Sequence, residues 1–451
     1  MCGIVGLVRR ESPVDKVLVE RMRNTLAHRG PDDRGLYSSP DGRACLGHCR
    51  LSIIDLSARG HQPMTNEDGR IWCTFNGEIY NAPDLRTRLE GLGHTFRSTS
   101  DTETILHAYE EWGDACLDRF QGMFAFALWD ENRGRLLLAR DRLGIKPLYY
   151  HADAGSLAFG SEIKALLENP AIPQELDIGA FCDFLIYRFI PAPKSIWRNI
   201  YKLPPGHALA WSLDQDPSIR RYWTLEPRHD QISRAAAAHQ IEELLRDAVN
   251  THLLSDVPLG VFLSGGLDST TVVHFMRESG RPVQSFTIGF RHWERSEHEK
   301  ARAVAECYDT DHHEQVLDAK DLGGLEELMY FYDEPLGGSS FWPTFLVSRL
   351  ARRQVKVVLS GDGGDEVFGG YTWHRRYRAM CANRGWRQRL LRLLSSRPPE
   401  PAETYYSLHN WAGLRKADLT QIIPSDRHAE LPDDDLWLYR KYARADLTPL
   451  K

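Results

Sequence analysis

Residues 257–270 read Val-Pro-Leu-Gly-Val-Phe-Leu-Ser-Gly-Gly-Leu-Asp-Ser-Thr, and this stretch decides the fold of the second half of the chain. The apolar run Val257–Leu263 predicts a buried strand, and Thr270–Glu278 has a helical pattern. A strand, a glycine-rich loop and a helix in this order are typical of one step of a parallel α/β sheet.

The same alternation continues on both sides of this step. Upstream, Ala235–Leu253 has a helical pattern. Downstream, the predicted elements are strand Val283–Ile288, helix Ser296–Cys307, helix Ser340–Arg353 and strand Val355–Leu359. We therefore expect an α/β domain with a parallel sheet over residues 236–451.

Two glycine-rich loops follow predicted strands of this domain. The loop Ser264–Ser269 directs backbone N–H groups to one spot at a helix N-terminus, which suits a phosphate. It is neither a Walker loop nor a G-x-G-x-x-G motif, and by itself it favours a turn and a phosphate site about equally. The second loop, Ser360–Glu366, carries Asp362 and Asp365. Carboxylates at the carboxyl end of a parallel strand fit Mg²⁺ or an activated substrate, and the alternative is a surface turn.

The first ~205 residues have a different pattern. Short predicted strands alternate with turns: Ile4–Val8, Ala44–Cys49, Ile71–Phe75, Met123–Trp129, Arg135–Ala139 and Ser156–Phe159. Helical patterns cover Pro13–Leu26, Ala82–Leu92 and Asp101–Trp112. We expect an α+β domain over residues 1–205. The proline-rich stretch Pro191–Pro227 predicts a connecting region, and we place a linker at 206–235.

Cys2 follows the initiator methionine directly. Removal of Met1 would put a thiol and an α-amino group on one residue. The α-amino group has a pKa of about 7.7–8.0, so it can accept the thiol proton near neutral pH. The alternative is a small buried thiol in a first strand, which is the common case for an isolated cysteine.

Composition excludes several classes of function. The 451 residues contain 56 Lys and Arg against 62 Asp and Glu, for a net charge of −6. This argues against a nucleic-acid-binding protein, which needs a basic excess. Mean hydropathy is −0.44, and no long apolar run predicts a membrane helix. The eight dispersed cysteines favour a reducing, cytoplasmic compartment.

The first ~165 residues resemble the class II glutamine amidotransferases. The matching blocks, in order, are 1–6, 28–32, 50–55, 60–64, 75–81, 100–103, 140–149 and 159–162. The resemblance implies an N-terminal-nucleophile (Ntn) hydrolase sandwich with Cys2 as nucleophile and Asn76 and Gly77 as oxyanion donors. Glutamine would bind through Arg50, Asn76, Glu78 and Asp101. Arg suits a carboxylate because its guanidinium is a planar fork, whereas Asn76-Gly77 alone would favour a hairpin turn.

The second half resembles the ATP pyrophosphatases, an adenine nucleotide alpha hydrolase-like fold. Together the halves resemble glutamine-hydrolysing asparagine synthetases over about residues 1–375. The implied ATP-binding residues are Leu263, Ser264, Gly265, Gly266, Asp268, Ser269, Ile288, Ser360 and Gly361. Asp268 and Asp365 would hold Mg²⁺, and Asp362 would lie beside the metal or the adenylate. Aspartate would become β-aspartyl-AMP, and ammonia made at Cys2 would displace AMP. A cytoplasmic enzyme without nucleic-acid or membrane partners, and a homodimer, are also implied.

Two departures leave alternatives open. Residues 336–340 offer no carboxylate where the family has an acidic residue, so the acceptor could be another carboxylate on a sugar or peptide. Family members also continue beyond the point reached at Lys451, so we expect a synthetase domain that is C-terminally incomplete. The remaining alternative is a chain that acts only as a glutaminase or is inactive.

Overall fold

The computed structural model describes residues 1–226, 231–294, 296–318, 324–338, 340–382, 413–432, 434 and 436–438. Contacts divide the chain into two compact units. The first contains Met1–Leu176, Ala192–Pro227 and Thr251–Pro258, and the second contains Asp177–Pro191, Arg228–Asn250 and Leu259–Lys451. Each unit is therefore assembled from separate stretches of the chain.

The first unit contains two six-stranded sheets in which all paired strands are antiparallel. Its strands are β1 (Gly3–Arg9), β2 (Asp33–Ser38), β3 (Ala44–Arg50), β4 (Met64–Thr65), β5 (Ile71–Ile79), β6 (Gly122–Asp130), β7 (Arg135–Arg140), β8 (Tyr149–Ala152), β9 (Ser156–Gly160), β10 (Tyr201–Lys202), β11 (His207–Ser212) and β12 (Ser218–Arg221). The strand orders are β10-β8-β9-β1-β3-β2 and β12-β11-β7-β6-β5-β4. The helices are α1 (Lys16–Asn24), α2 (Ala82–Gly91), α3 (Asp101–Trp112) and α4 (Ile163–Leu167).

The side chains of β1 show how these elements form four layers. Successive side chains of a strand point to opposite faces. Ile4 and Val8 pack with Trp129 of β6 in a cluster between the two sheets. Val5 and Leu7 pack on the other face, in a cluster that includes residues of α1 and α4. Helices α2 and α3 cover the outer face of the second sheet in the same way. The result is the helix–sheet–sheet–helix sandwich of the Ntn hydrolase fold.

The second unit contains a four-stranded parallel sheet. Its elements are α5 (Ile178–Tyr187), α6 (Arg234–His252), β13 (Leu259–Phe262), α7 (Leu267–Glu278), β14 (Gln284–Phe290), α8 (His298–Cys307), β15 (Asp311–Leu317), α9 (Leu325–Tyr332), α10 (Phe341–Ala351), β16 (Val357–Leu359), α11 (Gly364–Phe368), α12 (Thr372–Ala382) and α13 (Lys416–Ile422). The strand order is β15-β14-β13-β16. The order reverses beside β13, which pairs with β14 on one side and β16 on the other. In open parallel sheets, ligands bind at the carboxyl ends of strands flanking such a switch point.

The structure differs from the sequence-based expectations in several elements. The stretch expected to be a connecting region, 191–227, contains β10, β11 and β12, and β11 pairs with β7 over five residues. The second sheet therefore extends into the expected linker, 206–235, although the domain limits 1–205 and 236–451 stay a prediction. Strands β2 and β15 were not predicted, because their sequences are too polar to show a strand pattern. Among the described residues of the C-terminal segment 405–444, helix α13 spans Lys416–Ile422.

Candidate active sites

A cavity of about 510 Å³, counting its open mouth, lies in the first unit. The lining residues are Met1, Cys2, Arg50, Leu51, Ile53, Ile54, Gln62, Phe75, Asn76, Gly77, Glu78, Ser100, Asp101, Thr102 and Lys146. All six residues predicted for the glutamine site are therefore brought together, although they span a hundred positions of sequence.

The Cys2 thiol faces the loop that follows β3. The backbone N–H of Leu51 donates to Cys2 Sγ at 3.4 Å. Burial raises the pKa of the Cys2 thiol, so the thiol needs a base to become a nucleophile. Burial also lowers the pKa of the Met1 amino group to about 5. The Met1 amine is therefore neutral at pH 7.

Arg29 fixes the backbone beside the thiol. Its Nε donates to the carbonyl oxygen of Cys2 at 2.9 Å, and its Nη1 donates to Glu162 at 2.7 Å. His28 Nε2 lies 3.0 Å from the same carboxylate oxygen, and Lys164 contacts the other oxygen. Although burial opposes ionisation, these groups lower the pKa of Glu162 to about 2. Motif 28–32 therefore positions the start of the chain.

Asn76 lies in the middle of β5 and is fully buried. Within the described part of the chain, neither its Nδ2 nor its Oδ1 has a hydrogen-bond partner. An unpaired buried polar group costs about 1–3 kcal/mol, so a folded protein seldom keeps one without a reason. Hydrogen bonding of this amide to a bound ligand would explain why the protein keeps it unpaired.

The direction of the Gly77 N–H follows from the strand register. The N–H of Phe75 donates to Gln62 Oε1 at 2.7 Å, and that of Ile79 donates to Asp101 Oδ2 at 3.0 Å. Alternate N–H groups of a strand point to the same edge, so the Gly77 N–H points to that edge between these two. A Cβ on Gly77 would lie 2.2 Å from the carbonyl oxygen of Met123 on β6, so only glycine fits here.

Charged side chains surround these donors. Arg50 is buried and donates to the carbonyl oxygens of Ile54, Asp55 and Ser57, which fixes its guanidinium at the cavity wall. Burial raises the pKa of Asp101 to about 6. Burial, together with the charge of Asp101, raises the pKa of Glu78 to about 7. A cationic group of a ligand would stabilise both carboxylates in their ionised form.

Lys146 and Gln62 also line the cavity, and sequence reasoning assigned them no role. Lys146 is buried, and burial lowers its pKa. Asp141 positions it by accepting from the backbone N–H groups of Ile145 and Lys146, both at 2.9 Å. Lys146 belongs to the matched sequence block 140–149, and that match was the one feature of the sequence that could have indicated its place in the site.

In the second unit, the loop between β13 and α7 holds its shape by local hydrogen bonds. Ser264 Oγ lies 3.0 Å from Ser269 Oγ and accepts from the N–H of Gly266 at 3.2 Å. Gly265 has φ +72°, and a Cβ there would lie 2.7 Å from the backbone of Lys300. Leu263 donates to Phe286 O of β14 at 3.0 Å, so the loop begins at the sheet edge. Ile288 lies two residues further along β14.

The loop after β16 lies against this first loop. A Cβ on Gly361 would lie 2.9 Å from Ser269 N, and one on Gly364 would lie 2.5 Å from Asp268 Cγ. Burial and the charges of Asp365 and Glu366 raise the pKa of Asp268. Asp362 instead accepts from Ser360 Oγ at 3.0 Å. Asp268 and Asp365 are therefore close enough to interact, and a cation between them would relieve their repulsion.

Comparisons with known proteins match a family to each half of the chain. Residues 1–223 match the glutamine amidotransferase domain family, and residues 240–441 match the asparagine synthase family. The chain is 37% identical to "Putative asparagine synthetase (glutamine-hydrolyzing) 2" of Methanocaldococcus jannaschii, with 96% of this chain and 88% of that protein covered. It is also 37% identical to "Asparagine synthetase (glutamine-hydrolyzing) 3" of Bacillus subtilis, of which it spans 64%.

A solved structure of glutamine phosphoribosylpyrophosphate amidotransferase from B. subtilis aligns with 64% of this chain and 67% of its own, at 17% identity and a TM-score of 0.38. No helix among the described residues is long and apolar enough to cross a membrane. The two family matches and the coverage of the archaeal relative identify the chain as a member of the glutamine-hydrolysing asparagine synthetase family of ATP-dependent carbon–nitrogen ligases.

Proposed function

We propose that this protein makes asparagine from aspartate, ATP and glutamine. The observation that carries the glutamine-hydrolysing part of the proposal is the buried amide of Asn76, which has no partner among the described residues and lines the same cavity as the Cys2 thiol. An acyl transfer needs hydrogen-bond donors aimed at the oxyanion that develops on the attacked carbonyl. Asn76 Nδ2 and the Gly77 N–H are the candidate donors.

In the glutaminase half, Cys2 Sγ attacks the side-chain amide carbon of glutamine. Once Met1 is removed, the Cys2 α-amino group takes the thiol proton and later gives it to the departing ammonia. A γ-glutamyl thioester remains on Cys2, and water hydrolyses it to glutamate. The Arg50 guanidinium binds the α-carboxylate of glutamine, and Asp101 and Glu78 bind its α-ammonium.

In the synthetase half, the β-carboxylate of aspartate attacks the α-phosphorus of ATP and releases pyrophosphate. Ammonia then attacks the acyl carbon of β-aspartyl-AMP and displaces AMP. Backbone N–H groups at the start of α7 bind phosphate oxygens. Asp268 and Asp365 would hold Mg²⁺, which neutralises charge on the departing pyrophosphate. The remaining predicted ATP contacts, among them Ile288 and Ser360, stay part of this proposal.

The test measures glutamate and pyrophosphate from the same reaction mixtures. Wild-type protein should release pyrophosphate only with aspartate, ATP and Mg²⁺, and should make asparagine only when an ammonia source is also present. Cys2→Ala should lose glutamine-dependent synthesis but keep synthesis from added ammonium. Asp268→Asn should do the reverse, keeping glutamate release and losing pyrophosphate. Glutamine use by Cys2→Ala would contradict the assignment of the nucleophile.

A second acceptor is the main alternative, and one observation favours it. Residues 336–340 hold no carboxylate where the family has an acidic residue, and within this segment the Gly337 N–H donates to Arg188 O at 2.8 Å. Pyrophosphate release with a sugar or peptide carboxylate, and not with aspartate, would support this alternative. Glutamate release without any ATP turnover would instead indicate a glutaminase-only or inactive synthetase chain. A homodimer and a cytoplasmic location stay predictions.

A further inference from the structure

Two histidines and a glutamate, none of which lines the glutamine cavity, form a cluster on α3 and the loop before it. His107 and Glu110 are three positions apart and therefore share one face of the helix. His94 lies between α2 and α3, and its ring centroid is 5.0 Å from that of His107. One ligand atom from each of the three residues lies within 4.8 Å of the others, which occurs in no other such group of the described residues.

The carboxylate of Glu110 is oriented toward both histidines. Its Oε2 lies 2.8 Å from His107 Nδ1 and 3.9 Å from His94 Nδ1. Its other oxygen, Oε1, accepts from Asn66 Nδ2 at 2.6 Å. Ligating carboxylates in metal sites are usually held by such an outer hydrogen bond.

The second nitrogen of each histidine faces another carboxylate. His94 Nε2 lies 3.4 Å from Glu111 Oε2. His107 is 1% exposed, and its Nε2 has no hydrogen-bond partner, although Glu67 and Glu103 each lie 3.8 Å away. Metal-binding histidines almost always direct their other N–H at a carboxylate or carbonyl, which fixes the ring and raises its basicity.

The ligand atoms lie close enough together for one tetrahedral ion. Zinc binds histidine nitrogen and carboxylate oxygen at about 2.0–2.2 Å, so neighbouring ligand atoms lie roughly 3.3 Å apart. The separation of 2.8 Å, a hydrogen bond in this structure, is shorter than this value and that of 3.9 Å is longer, and all three ligand atoms lie within 4.8 Å of one another. We propose that His94 Nδ1, His107 Nδ1 and Glu110 Oε2 bind a zinc ion, with water at the fourth position. The ion would tie the loop after α2 to α3, the helix whose first turn carries Asp101.

The competing occupant of the cluster is a proton. Burial disfavours charge on His107, but the nearby carboxylates of Glu103, Glu110 and Glu67 outweigh it and raise the pKa of His107 to about 9. A protonated His107 paired with Glu110 would need no metal. The two arrangements differ in whether His94 is required and in whether a divalent ion is present in stoichiometric amount.

The test uses protein purified without a polyhistidine tag. Mass spectrometry of metal content should find about one zinc per chain, and Co²⁺ added to metal-free protein should give visible absorption that saturates at one equivalent. His94→Ala and Glu110→Gln should each weaken Co²⁺ binding at least about tenfold. The matched control is His239→Ala, which breaks the exposed His239–Glu243 pair of α6 and should change nothing.

Thermal unfolding without metal checks that each variant is folded. Added Zn²⁺ should raise the unfolding midpoint of the wild type and of His239→Ala, and not that of Glu110→Gln. Metal-free purified protein whose Co²⁺ affinity is the same in wild type, His94→Ala and Glu110→Gln would overturn the zinc site and leave the His107–Glu110 pair. These readouts do not depend on glutaminase or synthetase activity.

Discussion

Replacing Asn76 by alanine should lower the rate of glutamine hydrolysis without lowering the stability of the protein. The side chain is fully buried, and neither of its polar atoms has a partner within the described residues. Loss of one oxyanion donor typically lowers kcat by about 10²–10³, equivalent to about 2.7–4 kcal/mol of transition-state stabilisation. Because the oxyanion develops only in the transition state, the loss should be larger in kcat than in KM, which Asn76 also influences by binding glutamine.

The same substitution should not destabilise the protein. An unpaired buried polar group costs about 1–3 kcal/mol, and Asn76→Ala removes that cost. The side chain borders an open cavity, so its truncation leaves no closed void in the core. We therefore expect a free energy of unfolding equal to or above that of the wild type.

The assay combines glutamate release with urea unfolding, and Thr74→Val is the matched control. Thr74 is also fully buried on β5, but its hydroxyl lies 3.0 Å from His48 Nδ1 and donates to Gly47 O at 3.3 Å. Thr74→Val should lower stability by about 1–3 kcal/mol and leave kcat near wild type. A clearly destabilised Asn76→Ala that keeps full kcat would refute the oxyanion role.

Three further predictions follow from the glutamine cavity. The raised pKa of Asp101, about 6, means that KM for glutamine should rise as pH falls below 6. Asp101→Asn should raise KM and weaken that dependence, since Glu78 also binds the ammonium. Burial raises the pKa of Glu78 to about 7, against roughly 4.3 when unfolded, so the native state holds the extra proton between these values. Glu78 therefore costs stability as pH rises from 4 to 7, and Glu78→Gln should gain stability relative to wild type over that range in urea unfolding. Gly77→Ala should lose about 1–3 kcal/mol because its Cβ would meet β6, whereas Gly91→Ala, which has open space, should be neutral.

The spacing of apolar residues in the sequence was sufficient to predict the strands and helices that bury an apolar face. Strands β1, β5 and β6 and helix α3 were predicted within a few residues, because their buried faces dictate the pattern. Strand β15, Asp-His-His-Glu-Gln-Val-Leu, pairs with β14 over its whole length but has almost no apolar alternation. Its position depends on backbone hydrogen bonds, which leave little trace in sequence.

In the candidate site too, some features could be predicted from the sequence and others only from the structure. Cys2, Asn76 and Asp101 were identified from motifs, and the structure brings them to one cavity. The contact between Arg29 and Cys2 O could not be predicted, since no spacing rule relates positions 27 apart in separate elements. The unpaired state of Asn76 is also a property of the folded chain, because it depends on what surrounds the side chain.

Helix α5 has a practical consequence for dissecting the protein. Its residues Cys182, Ile186 and Tyr187 form one apolar cluster with Leu419, Ile423 and Leu431 of the second unit. Asp183 accepts from Trp437 Nε1 at 2.8 Å in the same region. A fragment ending at residue 205 would keep this apolar helix but lose every one of these neighbours, and the complementary fragment would lack the helix. No single cut therefore yields two self-sufficient halves, so the two reactions are better separated by point substitutions than by truncation.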